Sequence, residues 1–135
     1  MTIQDGELAG VWRCTHWYPN KDDTGEDVTE NEMRAHKDGN DIVFESLPNA
    51  EGSYMFVRLT VRGDIATGNW HETTSPEGDF ANANYSGSGQ LLVDQDGKHL
   101  EGQWAGVGFD HAQNKPRIYT GKWELTYVGE QPSAA

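Results

Sequence analysis

Two residues have types suited to proton chemistry at a single point, with neighbours that would place them on one face of their strands. They are His16, in the run Cys14-Thr15-His16-Trp17-Tyr18, and Glu72, in Trp70-His71-Glu72-Thr73-Thr74. A carboxylate that orients an imidazole makes an acid/base pair, provided the fold brings the two within hydrogen-bonding reach. The same two groups could instead satisfy one another in a buried network that rigidifies the chain and binds nothing. Cys14 is the one thiol, and a lone inward thiol behaves as a small hydrophobe more readily than as a nucleophile. The chain has no Gly-x-Ser-x-Gly, no phosphate-cradling loop and no His-Glu-x-x-His, of which His71-Glu72-Thr73 is only a fragment.

The elements that must position these residues are strands. In Tyr54-Met55-Phe56-Val57-Arg58-Leu59-Thr60-Val61, the residues Met55, Val57, Leu59 and Val61 share one face and Phe56, Arg58 and Thr60 the other. Similar alternation predicts strands at about 8–18, 29–37, 41–48, 54–62, 64–74, 82–94, 99–109 and 117–128, with no helix. Short glycine-bearing connections at 37–40, 62–64 and 94–98 suit tight hairpins. Longer ones at 19–28, 47–53, 74–81 and 110–117 alternate with them. In an up-and-down meander this alternation gathers the short turns at one end and the long loops at the other. Closing the sheet also removes its exposed edges. The expected fold is therefore all-β, an eight-stranded antiparallel up-and-down barrel with a tight floor and a loop-lined mouth. A lead at 1–7, a single domain at 8–128 and a polar tail at 129–135 complete the division.

Four of the five tryptophans stand two residues after a glycine, in Gly10-Val11-Trp12, Gly68-Asn69-Trp70, Gly102-Gln103-Trp104 and Gly121-Lys122-Trp123. Residues two apart on a strand point to the same side. An eight-stranded barrel is barely wide enough for side chains or one small ligand, so an inward indole needs empty space beside it, which glycine supplies. The competing reading makes Gly-x-Trp a turn-to-strand marker with the rings flat outside. The shared parity of Gly102, Trp104, Gly106 and Gly108 favours inward rings, with Trp17 outside or in the rim.

Charge narrows the partners. A formal net charge of -12 with only ten lysines and arginines argues against nucleic acid, which is held by clustered cations. The N-terminal stretch has neither a basic segment nor an apolar run, and nothing approaches the roughly 20 apolar residues of a membrane helix. No membrane partner is expected, and a cytoplasmic setting suits the single cysteine.

"LAGVWRC" near the start and "TGKWELTYV" near the end resemble the first-strand Gly-x-Trp and the closing strand of calycins, the superfamily of lipocalins, fatty-acid-binding proteins, avidins and nitrobindins. More of the chain, including "ESLPNAEGS", "LTVRGDIATGNWHETTSPEG" and "SGQLLVDQDGKHLEGQWAG", is similar to an uncharacterised calycin-like domain C-terminal in some bacterial helix-turn-helix regulators. The resemblance implies a barrel and a sensing role but carries over no ligand and no catalytic residue. Nitrobindin-like haem binding would need an inward histidine near the mouth, for which His16 is the candidate.

With Trp12 inward near the floor, parity sends Cys14, His16 and Tyr18 inward and progressively nearer the mouth. The expected upper cavity holds Cys14, His16, Tyr18, Trp70, Glu72, Tyr85, Trp104 and Tyr119. Its floor is Trp12, Leu91, Val93, Leu125 and the aliphatics from Met55 to Val61. Apolar walls with a few directed polar groups suit a small, largely apolar or aromatic molecule. No metal site and no resident cofactor are expected, with His36, His99 and His111 facing solvent or the rim. Two alternatives stay open: a barrel isomerase, cyclase or lyase using His16 and Glu72 as acid and base, and an interaction module whose acidic rim, around the mouth loop 20–32, meets a basic protein.

Overall fold

The structure is a computed structural model that describes residues 10–19, 24–49, 52–77, 81, 83–110 and 112–130. The lead at 1–7, His111, most of the polar tail and parts of the mouth connections lie outside the described residues. Eight strands follow one another: β1 (Val11–Pro19), β2 (Glu26–Asp38), β3 (Asp41–Ser46), β4 (Tyr54–Arg62), β5 (Ile65–Thr73), β6 (Asn84–Val93), β7 (His99–Asp110) and β8 (Lys115–Gly129). Each pairs antiparallel with the next, and β1 pairs with β8 to close the barrel. Among the described residues no helix is long and apolar enough to cross a membrane.

Alternation builds the interior. Trp12, Cys14 and His16 on β1, Met55, Val57 and Leu59 on β4, and Trp70 and Glu72 on β5 are buried, while most of the residues between them are more accessible. At the floor, Trp12 meets Phe44 edge-on at 5.4 Å and Tyr127 at 5.7 Å. Such pairs add about 0.5–1.5 kcal/mol each beyond the area they bury. Trp12, Phe44, Leu59, Leu100, Trp123 and Leu125 are wholly enclosed, so the lower half of the barrel is closed to solvent.

Indoles do point inward, but the glycines that make room for Trp70, Trp104 and Trp123 lie on other strands and not in the tryptophan's own motif. A Cβ at Gly87 or at Gly106 would stand 2.7 Å from the Trp70 ring, and one at Gly121 would stand 2.8 Å from Trp104 Nε1. A Cβ at Gly89 would strike the Trp123 ring. Gly68 and Gly102 serve a different end: a side chain there would collide with the carbonyls of Arg58 and Gln90, so these two glycines let adjacent strands close on each other.

Three expectations need correction. The segment 110–117 is no long loop, since β7 runs to Asp110 and β8 starts at Lys115. Asn114 makes the sharp return at φ 54, a left-handed conformation that asparagine tolerates. The acidic stretch 20–32 is only partly a loop, because β2 begins at Glu26 and pairs with β1 through Pro19↔Glu26 and Trp17↔Val28. Ladder pairing there overrides the low strand preference of Glu and Asp. Met55 belongs to the upper barrel and not to the floor, because antiparallel register puts it opposite Glu72.

Candidate functional site

The upper interior is assembled by register. Strand β5 brings up Trp70 and then Glu72, β6 sets Tyr85 directly opposite Glu72, and β1 sends His16 across from the other side. His16 Nε2 lies 3.8 Å from Glu72 Oε1, beyond hydrogen-bond length. The imidazole stands 5.5 Å from the Tyr18 ring and meets Trp104 edge-on at 6.3 Å. Trp104 and Trp70 are perpendicular, 87° apart in plane with centroids 5.8 Å apart.

Both indole N–H groups are committed elsewhere. Trp70 donates to the Ser88 carbonyl at 3.1 Å, and Trp104 to the Trp17 carbonyl at 2.8 Å. The paired residues of β1 and β8 end at His16 and Trp123, so the Trp104 ring reaches over Gly121 to take the next carbonyl along the seam. The two indoles therefore offer the interior their π-faces and no donor.

Burial changes with height. His16, Trp104 and Glu72 keep 8% of their surface accessible and Trp70 keeps 7%, whereas Trp12, Cys14, Trp123 and Leu125 below them keep none. Tyr18, Tyr85 and Tyr119 are half-buried against the same cluster. Cys14 thus lies beneath this upper cluster, accepting a hydrogen bond from Trp123 Nε1 at 3.2 Å. Burial pushes its thiol up to about 12, which leaves little thiolate for any reaction.

Burial also sets the charge states of the central pair. It lowers His16 to about 4 and raises Glu72 to about 7, so near neutral pH the imidazole is uncharged and the carboxyl is close to its midpoint. His16 Nδ1 is buried with no hydrogen-bond partner among the described residues. A buried polar atom left unmatched costs about 1–3 kcal/mol, which a bound polar group or water would recover. Among the described residues no lysine or arginine is buried, and His16 is the only ion-pair partner in reach of Glu72. Tyr85 is raised by burial and by the Glu72 charge.

Of the eight residues expected at the site, His16, Trp70, Glu72 and Trp104 lie at this level, Tyr18, Tyr85 and Tyr119 pack half-buried against the same cluster, and Cys14 lies beneath. The Arg117 guanidinium lies over the Tyr119 ring at 4.8 Å. Among the described residues one buried polar side chain was missed. Asn31 on β2 is buried, donates from Nδ2 to Met55 Sδ at 3.9 Å and accepts from Ser53 Oγ at 3.4 Å. Its signal was its shared parity with Met33 and Ala35, masked by the acidic residues around it.

Other polar groupings lie on the outside. His36 is exposed, as expected. On the outer wall His99 Nε2 faces Glu101 Oε2 at 3.7 Å and Glu124 Oε2 at 3.9 Å, a trio whose donor atoms could hold a cation. The Lys122 ammonium already bridges both carboxylates, at 3.3 and 2.9 Å. Beside them a hollow of about 400 Å³ opens between Glu101, Gln103, Thr120 and Lys122, over the bare backbone of Gly102 and Gly121. None of these outer groups reaches His16 or Glu72. No protein-family model matches the chain, and no curated protein matches it.

Proposed function

We propose that this closed barrel is a calycin-like binding protein that holds one small, largely apolar or aromatic molecule in its upper chamber. The carrying observation is the contrast in burial along the barrel: a floor with no accessible surface beneath Trp70, Glu72, Trp104 and His16, which are buried but keep 7–8% of theirs. Aromatic faces around two directed polar groups suit such a ligand. The acidic chain and its single, fully buried cysteine fit a cytoplasmic protein without nucleic-acid or membrane partners. Screening apolar and aromatic small molecules by tryptophan emission tests the reading. Saturable quenching that weakens in Trp70→Phe and Trp104→Phe is expected, and a broad library without any saturable response contradicts it.

A second reading, a barrel enzyme of the isomerase, cyclase or lyase type, is favoured by one observation. Glu72 titrates near neutral pH within 3.8 Å of a neutral imidazole, the condition in which a carboxylate can take a proton and return it. Product formation that survives both His16→Ala and Glu72→Gln would remove this assignment.

A further inference from the structure

The side chains around the upper chamber bear on the charge of its occupant as well as on its apolar character, given the pocket proposed for this barrel. Glu72 is the one carboxyl among the buried polar residues described, and no buried lysine or arginine among them answers it. His16 stands 3.8 Å away, outside hydrogen-bond reach, and its second nitrogen has no partner among the described residues. The walls beside the carboxyl are the perpendicular faces of Trp70 and Trp104, whose N–H edges are tied to backbone carbonyls, together with the rings of Tyr18 and Tyr85. Electron-rich aromatic faces meeting at a right angle beside a carboxylate attract a positive charge that has been stripped of water.

We infer that the upper barrel selects a molecule bearing a positively charged nitrogen, an organic ammonium on an apolar or aromatic body, seated against the Trp70–Trp104 pair with its charge toward Glu72. Such a ligand supplies the counter-charge that the described residues omit. Burial keeps His16 uncharged at neutral pH, so the imidazole does not compete for that role. Among the described residues the groups facing Glu72 from the neighbouring elements are Met55 on β4, Tyr85 on β6 and His16 on β1, with the Cys14 thiol below, and none is a permanent cation. The mouth is compatible with this sign of charge. Arg117 is engaged by Asp110 at 3.5 Å and by the Tyr119 ring, and the net charge of the chain, -12, draws cations toward it.

The test is a matched pair of probes, benzyltrimethylammonium and its uncharged carbon isostere neopentylbenzene, titrated against tryptophan emission at neutral pH. The cation is expected to bind the wild-type protein at least about tenfold more tightly than the isostere, a gap of roughly 1.4 kcal/mol. Glu72→Gln should erase most of that preference, weakening the cation far more than the isostere. Trp70→Phe and Trp104→Phe should weaken the cation more than the isostere. An isostere that binds as well as the cation would overturn the inference while leaving an apolar pocket standing. A preference that persists in Glu72→Gln also overturns it, because the charge would then be read elsewhere. If neither probe binds, the charged ligand is rejected, and the pocket itself is judged by the wider screen. The wild-type comparison holds even if a variant fails to fold.

Discussion

His16 Nε2 and Glu72 Oε1 face each other across 3.8 Å of the inner wall, each held away from its charged form by burial and unable to close into a hydrogen-bonded ion pair. In the unfolded chain at pH 5.5 the histidine carries a proton and the glutamate does not. In the folded barrel the proton count is the same, but the carboxyl holds it. The two contributions to the pH dependence of stability therefore cancel between the ordinary values of 4.5 and 6.5, and substitution of either residue exposes the other.

The first prediction follows from that sign. Glu72 has a raised folded value, so its contribution is present below pH 4.5 and is lost as pH rises through about 7. Glu72→Gln should gain stability relative to wild type across this window, by about 3 kcal/mol. His16 has a lowered folded value, so its cost grows as pH falls from 6.5 to about 4. His16→Asn should gain relative to wild type in that direction, by a similar amount. Urea denaturation at a series of pH values measures both. Reversed slopes would mean a closed ion pair.

Glycine packing gives a second prediction. A side chain at Gly121 would strike the Trp17 carbonyl and the Trp104 indole, and one at Gly102 would strike the Gln90 carbonyl. Gly121→Val and Gly102→Val should each cost about 1–3 kcal/mol or more. Lys122→Val removes only exposed ion pairs to Glu101 and Glu124 and the contact over the Trp17 ring, and should cost within about 1 kcal/mol. Thermal unfolding of the three variants decides it. A lysine variant hurt more than both glycine variants would invert the facing of β8.

The barrel was legible because its facing pattern is local. Alternation in β1, β4 and β5 gave their inward residues directly, and the short connections gave the closed meander. Heights within the barrel were harder. Parity says which side Met55 faces, but only the pairing with Glu72 says how high it sits, and that depends on β4 starting at the mouth. Asn31 was hidden by Glu30 and Glu32, whose charges suggested a solvated loop although they only cover the outer face of β2. The partner of each glycine was illegible for a similar reason: Gly87, Gly106 and Gly121 meet rings from other strands, a relationship set by register and barrel curvature rather than by spacing within a motif.

Cys14 supplies a third prediction. With no accessible surface and a thiol pushed up to about 12, it should resist alkylation in the folded protein at about pH 8 and react once the chain is unfolded in urea. Mass-resolved labelling with iodoacetamide reports the difference. Rapid stoichiometric labelling of the native protein would place the thiol in the chamber and not beneath it.

The central pair separates binding from catalysis in a fourth prediction. If the barrel only binds, His16→Ala should change the affinity of a chamber ligand by about 1–3 kcal/mol, with no product formed. If it catalyses proton transfer, the same change should lower turnover by about 10²–10⁴-fold with binding nearly intact. Calorimetry and product analysis on the same samples distinguish the two.

The claim on which the rest depends is that the space above Trp123 and Cys14 takes a molecule. Native mass spectrometry of the folded protein against a library of apolar and aromatic compounds, including organic ammonium compounds, measures that occupancy. Occupancy at a one-to-one ratio, with members of the library displacing one another and adducts reduced in a Trp70→Phe, Trp104→Phe double variant, is the expected result. A bare chain mass with every member of the library would contradict it and would leave His16, Glu72 and the indoles as a packed polar core.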